Sequence, residues 1–248
     1  MKKFGLIGHP IAHSLSPALF KAAYDGKYAY DLIEGEDFET SYRRFIEEYD
    51  AINVTAPFKE AAFAKADILS EECASTGATN LLVKTPEGIK AYNSDFLGVR
   101  MWLSEVTEDL KGVKILIVGL GGAGKAAAAA AESLGMDVIR MNRTVRDSRT
   151  LPLDKFRECL READIMIYNI PAAIPELKEL TDSDFNEDKP KLILEANYKD
   201  PSLRETMESF GSKAVYTGGE TWLLYQAMTG YKILTGEKPD LTKMSDVL

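Results

Sequence analysis

Gly119, Gly121 and Gly124 stand in G-x-G-x-x-G spacing within the run Ile115-Leu-Ile-Val-Gly-Leu-Gly-Gly-Ala-Gly-Lys-Ala-Ala-Ala. The chemistry this suits is the holding of a pyrophosphate. One glycine makes a tight turn, the next lets backbone N–H groups approach the phosphates, and the third allows close helix–strand packing. The positive end of the following helix would then face the anion. A plain structural turn is the alternative, but an apolar strand pattern precedes the glycines and an alanine-rich helix pattern follows them. About twenty residues on, where an NAD site usually carries Asp or Glu, the chain has Asn142-Arg143-Thr144. Arg140, Arg143, Arg146 and Arg149 fall close together in a protein of formal net charge −9. Guanidinium groups suit a ribose 2′-phosphate, so NADP is expected rather than NAD, against the alternative of a solvated basic loop.

Two further polar clusters sit where strand patterns end. Asn53-Val-Thr55-Ala-Pro57-Phe-Lys59 follows a short buried strand, and Asn93-Ser94-Asp95 follows another. Strand ends of open α/β sheets point into ligand crevices. Read blandly, the first is a turn with a solvated lysine, and Asp95 is a helix N-cap. A nicotinamide enzyme acting on an alcohol needs a proton shuttle from the protein. The two histidines, His9 and His13, lie together near the start of the sequence. No Tyr-x-x-x-Lys pair is offered by Tyr24, Tyr28 or Tyr198, which have Tyr28, Leu32 and Ser202 at the required offset. A lysine or carboxylate of the first half is left for that task.

The elements that must position these groups alternate. Strand patterns are expected over Lys3 to Ile7, Tyr28 to Ile33 and Ala51 to Val54, and a hairpin over Leu81 to Lys84 and Gly88 to Tyr92. Helices are expected from Ser16-Pro17, with Ser16 as cap, over Asp37 to Tyr49, Lys59 to Leu69 and about Asp95 to Ser104. Five strands follow at Lys114 to Val118, Asp137 to Met141, Asp164 to Tyr168, Leu192 to Glu195 and Ala214 to Tyr216, with Gly135 ending the intervening helix. A last helix is expected over Glu220 to Leu234. The fold class is α/β: an N-terminal α/β substrate domain of residues 1–98, to which a C-terminal segment 220–248 returns, and a Rossmann-type doubly wound NADP-binding domain of residues 99–219.

The composition excludes other classes. The 248 residues are 45% hydrophobic and 28% charged. The negative net charge argues against nucleic acid and anionic membrane as partners. The opening apolar run is too short for an export signal and is broken by His9 and Pro10. No stretch is long enough to span a bilayer. Cys73 and Cys159 are isolated, so neither a disulfide framework nor a metal site is expected, and a cytoplasmic location fits. A small-molecule substrate is the expected partner, with the protein a monomer or homodimer.

The chain resembles the shikimate dehydrogenase family over nearly its full length. Gly8-His-Pro-Ile-Ala-His-Ser14-Leu-Ser16-Pro17 is similar to the family's opening motif, and Asn53-Val-Thr55-Ala-Pro57-Phe-Lys59-Glu60 to its catalytic motif. Gly77-Ala-Thr-Asn80 and Asn93-Ser94-Asp95-Phe-Leu-Gly98 resemble the next two. Gly119-Leu-Gly121-Gly122-Ala123 resembles the cofactor loop, Asn142-Arg143-Thr144 the NADP motif, and Gln226 a substrate-binding glutamine. The resemblance implies that Ser14 and Ser16 bind a substrate carboxylate, that Thr55, Asn80 and Gln226 bind ring hydroxyls with Lys59 and Asp95, and that Lys59 and Asp95 transfer the proton. Tyr198 matches a tyrosine near the substrate, with packing at a strand end as the alternative. The implied reaction is reversible, NADP-linked reduction of 3-dehydroshikimate to shikimate, on the route to chorismate and aromatic amino acids. A paralogue acting on quinate or another cyclic polyhydroxy acid, with NAD as an alternative cofactor, and a non-catalytic cofactor-binding regulator are the rivals. Departures cluster near the cofactor: Asn169-Ile-Pro171-Ala-Ala replaces an Asn-Ser/Thr-Thr-Pro-x-Gly segment, Trp222 a methionine, and Asp147 a second arginine. Phe20-Lys21 also replaces the His-Asn that commonly follows the opening motif.

Overall fold

A computed structural model describes residues 2–248. In chain order it shows β1 (Lys3–Gly8), α1 (Ser16–Ala23), β2 (Ala29–Glu34), α2 (Phe38–Glu48), β3 (Ala51–Val54), α3 (Lys59–Ala64), β4 (Ile68–Leu69), α4 (Glu71–Thr76), β5 (Leu81–Thr85) and β6 (Gly88–Tyr92). After α5 (Ser94–Val106) come β7 (Lys114–Val118), α6 (Gly122–Ser133), β8 (Asp137–Met141), β9 (Thr150–Leu151), α7 (Phe156–Glu162), β10 (Ile165–Tyr168), β11 (Lys191–Glu195), α8 (Arg204–Glu208) and β12 (Ala214–Thr217). The chain closes with α9 (Gly219–Thr235) and α10 (Leu241–Ser245). Residues up to Gly98, with Leu224–Leu248, form one compact unit, and Val99–Leu223 form a second.

The first unit carries a six-stranded sheet in the order β2-β1-β3-β5-β6-β4. β1 pairs in parallel with β2 and β3, and β5 runs antiparallel to both β3 and β6. One face buries Ile7, Ile33, Ile52 and Val54 under Phe38, Phe45 and Tyr49 of the α2 region. α2 starts where Asp37 accepts from the Thr40 backbone N–H at 2.8 Å, an N-cap that its position before the apolar period announces. The segment after Lys59 differs from expectation. Instead of one helix to Leu69, α3 stops at Ala64, a two-residue strand β4 pairs with β6, and α4 follows. Asp67 turns the chain there, its carboxylate accepting from the Ile89 N–H at 2.7 Å, a contact 22 residues away that helical spacing cannot show.

The second unit is a parallel sheet in the order β12-β11-β10-β7-β8-β9, doubly wound about β7 and β10. Leu116, Val118, Met166 and Ile193 are sealed on one side by Phe156, Leu160, Leu203 and Met207. α6 owes its close approach to its alanines: Ala126, Ala127, Ala130 and Ala131 are fully buried. It ends at Gly135, whose φ of 76° is the left-handed conformation expected one residue beyond a C-cap.

Candidate functional site

In the first unit, Lys59 and Asp95 meet. The Lys59 Nζ lies 2.7 Å from Asp95 Oδ2, and the two side chains are 26% and 9% exposed. Lys59 is the first residue of α3, reached by a turn in which the Phe58 N–H donates to the Thr55 carbonyl at 3.0 Å. A cation at a helix N-terminus works against the helix dipole. Asp95 compensates it from the first turn of α5. Asp95 is not the cap of that helix. Asn93 caps it, accepting from the Phe96 N–H at 3.1 Å.

Asn80, Ser94 and Gln226 form a second group. The Asn80 Nδ2 donates to Ser94 Oγ at 3.0 Å, Asn80 Oδ1 accepts from the Ser94 N–H at 2.7 Å, and Ser94 Oγ donates to Gln226 Oε1 at 3.2 Å. Ser94 is fully buried and Asn80 4% exposed. The helices that carry Ser94 and Gln226 can approach this closely because of two glycines. A Cβ on Gly98 would lie 2.6 Å from the Gln226 nitrogen, and one on Gly230 3.1 Å from Ser94 Oγ. The motif that contains Ser94 assigns it no task; its linking role becomes visible only where α9 returns to α5, with Gln226 132 residues further along the chain.

Ser14 and Ser16 come together ahead of α1. Ser14 Oγ lies 3.2 Å from Ser16 Oγ and accepts from the Ser16 N–H at 3.2 Å. The cap expected at Ser16 is not formed: Leu15 holds the N-cap position, without a side-chain bond, and Ser16 is already helical. Both hydroxyls are half-buried and are not consumed in starting the helix. Thr55 is half-buried beyond the end of β3, with its N–H on the Ile7 carbonyl at 2.8 Å. His9 and His13 are exposed.

In the second unit the glycine loop has the conformation its spacing predicts. Gly119 has φ 87°, and a Cβ there would meet Ile170 Cγ1 at 2.8 Å. A Cβ on Gly124 would run into the Gly119 carbonyl, so the third glycine secures the helix against the turn. Among the described residues, Gly121 has nothing within 4 Å in that direction. It caps α6, whose first residues, Gly122 and Ala123, carry N–H groups that have no partner inside the helix. Asn169, beside this loop, donates weakly to the Val118 and Ile167 carbonyls at 3.4 Å, while its buried Oδ1 has no partner among the described residues. An open glycine cradle with an orphaned acceptor at its base fits a dinucleotide.

Asn142 joins the loop to the end of β8. Its Oδ1 accepts from the Leu120 N–H at 3.3 Å and its Nδ2 donates to the Thr144 carbonyl at 3.1 Å. Of the four arginines counted as one basic cluster, Arg140 is paired with Glu132, whereas Arg143, Arg146 and Arg149 are exposed. Asp147 shapes their turn, accepting from the Arg149 N–H at 2.8 Å and Thr150 Oγ1 at 3.0 Å. These bonds hold its carboxyl below the ordinary carboxylate range.

Tyr198 lies half-buried on the loop after β11, and burial pushes its hydroxyl above the ordinary phenol range. The loop is clamped by Glu195, which sequence reasoning missed. Its fully buried carboxylate accepts from the Ser202 N–H at 2.6 Å, the Leu203 N–H at 3.1 Å and the Tyr216 hydroxyl at 2.7 Å. A charged residue closing a buried strand was the available signal.

A parallel doubly wound sheet with a glycine phosphate loop, joined to a unit that holds a lysine–carboxylate pair, defines a nucleotide-linked oxidoreductase of two α/β units. Residues 6–82 match the profile of the shikimate dehydrogenase substrate-binding domain, and residues 89–194 that of the NAD-binding domain of D-isomer specific 2-hydroxyacid dehydrogenases. The shikimate dehydrogenase (NADP(+)) of Staphylococcus aureus is 32% identical, covering 98% of this chain and 96% of that protein. That of Thermotoga maritima is 30% identical over 93% of this chain and 92% of the relative. The crystal structure of shikimate 5-dehydrogenase from Thermus thermophilus in complex with NADP(H) and shikimate superposes with a TM-score of 0.82 at 28% identity, covering 100% of this chain and 98% of that one. The chain belongs to the shikimate dehydrogenase family.

Proposed function

We propose that this enzyme reduces 3-dehydroshikimate to shikimate, reversibly and with NADPH. The observation that carries the reading is the Lys59–Asp95 pair at 2.7 Å, in the unit that also holds the Asn80–Ser94–Gln226 group and the two serine hydroxyls. The relatives' names supply the substrate and the cofactor. When bound, NADPH supplies the hydride. Its pyrophosphate belongs on the Gly119–Ala123 turn and the start of α6, and its 2′-phosphate on Arg143, with Asn142 and Thr144 holding that strand end to the loop.

Ser14 and Ser16 donate to the substrate carboxylate. Thr55, Asn80 and Gln226 take the ring hydroxyls. Lys59 gives a proton to the carbonyl oxygen as it becomes an alkoxide, and takes it back in the reverse direction. Asp95 holds the ammonium in place and completes the pair's charge balance. Ser94 orients Asn80 and Gln226 through the bonds already described. A cytoplasmic setting with a free NADPH pool suits this reaction. The test is NADPH oxidation with 3-dehydroshikimate, run beside NADH and beside 3-dehydroquinate. Turnover that prefers NADPH and 3-dehydroshikimate is expected. Preference for dehydroquinate and NADH would make it a quinate enzyme, and tight NADPH binding with no turnover would make it a regulator.

A further inference from the structure

We propose that Tyr231 is a positioning residue for the substrate carboxylate, acting through Ser16. The inference rests on Ser16 having the role given to it above. Tyr231 lies on α9 and is 1% exposed. Its hydroxyl donates to the Ser16 carbonyl at 3.0 Å. Its ring packs edge-on against Phe20 of α1, with centroids 4.8 Å apart, so one side chain anchors both the start and the body of that helix. Burial pushes the hydroxyl's ionisation well above the ordinary phenol range, so it remains a donor throughout neutral pH.

Nothing in α1 itself fixes where Ser16 stands. The N-cap position is Leu15, which makes no side-chain bond, and the Ser14 and Ser16 hydroxyls lie 3.2 Å apart. The far end of α1 is tied separately. There the Tyr24 hydroxyl donates to the Glu237 carbonyl at 3.1 Å, and the Asp240 N–H donates to the Ala23 carbonyl at 3.0 Å. The tie at the serine end comes from the same helix that carries Gln226. Five residues separate Gln226 from Tyr231, roughly 7.5 Å along the axis. α9 therefore sets the group that grips the carboxylate and a group that grips the ring hydroxyls from one rigid rod.

Tyr231→Phe removes the hydroxyl and keeps the ring contacts, so the variant folds. Losing one such bond should raise the KM for shikimate roughly fivefold, with kcat and the KM for NADPH within about twofold of wild type. Tyr24→Phe, which cuts one of the two far-end ties, should leave the shikimate KM unchanged. In a Ser16→Ala background, Tyr231→Phe should add nothing further. An unchanged KM in Tyr231→Phe, or losses that multiply in the double variant, would overturn the proposal. Equal KM rises in Tyr24→Phe and Tyr231→Phe would also overturn it, because they would mean general loosening of α1. Wild-type turnover is read first: no activity on shikimate or 3-dehydroshikimate refutes the parent reading, whereas activity without coupling refutes only the role of Tyr231.

Discussion

In the first unit the polar side chains are bonded to one another. Lys59 is on Asp95, Asn80 on Ser94, Ser94 on Gln226, and Ser14 on Ser16. In the second unit the corresponding groups are bonded to backbone or exposed: Asn142 holds Leu120 and Thr144, and Arg143 is exposed. In the proposed reading the first must select one shape of small polyol and protonate one atom, and its donors and acceptors are already committed in direction. The second must accept a charged, flexible dinucleotide, for which a fixed backbone cradle and exposed guanidinium groups suffice. Damage in the first unit should therefore fall on chemistry and on shikimate. Damage at the second unit's glycine loop and at Arg143 should fall on the cofactor.

The comparison breaks most visibly at the Lys59–Asp95 pair, the proposed site of proton transfer. Lys59→Ala should lower kcat at least ~10²-fold, the low end for general acid–base catalysis, while shikimate binding weakens far less. Asp95→Asn should be comparably damaging, and the double variant little worse than either single one, because paired groups are non-additive. Steady-state kinetics of all three proteins test this; losses that multiply would show two independent contributors. In the second unit, Arg143→Ala should raise the NADPH KM roughly ten- to a hundredfold, the worth of one charge-assisted bond of about 1.5–3 kcal/mol, and barely alter that for NADH. Equal losses for both cofactors would remove the 2′-phosphate from Arg143.

A smaller effect probes the bonding within the first site. Gly230→Ala adds a methyl 3.1 Å from Ser94 Oγ, so Ser94 must give way and tilt its bonds to Asn80 and Gln226. Alanine also favours the helix by about 1 kcal/mol, which offsets the crowding. The expected outcome is a thermal midpoint near wild type with a shikimate KM raised roughly fivefold, equivalent to about 1 kcal/mol of weakened hydrogen bonding. An unchanged KM would mean that Ser94 does not orient the site.

The same contrast governs what could be read from the sequence. The cofactor loop was legible because its parts are contiguous: strand, Gly119-x-Gly121-x-x-Gly124 and alanine helix follow in one run, and the parallel sheet follows from the strand–helix alternation. In the first unit the residues were legible as polar outliers at strand ends, but their partners were not. Asp95 reads equally well as a cap until Asn93 is seen to hold that place, and Ser16 reads as a cap until the helix is seen to begin a residue early. The breaks that make β4 and α4 depend on Asp67 meeting Ile89. The Arg140–Glu132 pair, which removes one arginine from the basic cluster, spans a helix and a strand and has no local signature.

Asp184 sharpens the comparison from the side of stability. Like Asp95 it is a buried carboxylate facing cations, with its side chain fully enclosed. Unlike Asp95, its partners are two arginines and a backbone N–H of the second unit, none of them among the candidate site residues. It accepts from Arg157 Nε at 2.8 Å, Arg161 Nε at 2.6 Å and the Thr181 N–H at 2.8 Å. Burial pushes its carboxyl up, but the Arg157, Thr181 and Arg161 bonds outweigh that and hold it at about 2. A folded pKa below the unfolded value means stability that is present above about pH 4 and lost as the pH falls toward 2. Because the arginines are 35% and 49% exposed, the contribution is discounted to about 1 kcal/mol. Asp184→Asn should accordingly lower the thermal midpoint at pH 7 by a few degrees, with the gap to wild type closing as the pH falls from 4 to 2. It should leave kcat and both KM values unchanged, the reverse of Asp95→Asn. A kcat loss in Asp184→Asn, at a temperature where the variant is fully folded, would show that this buried carboxylate is coupled to the chemistry after all.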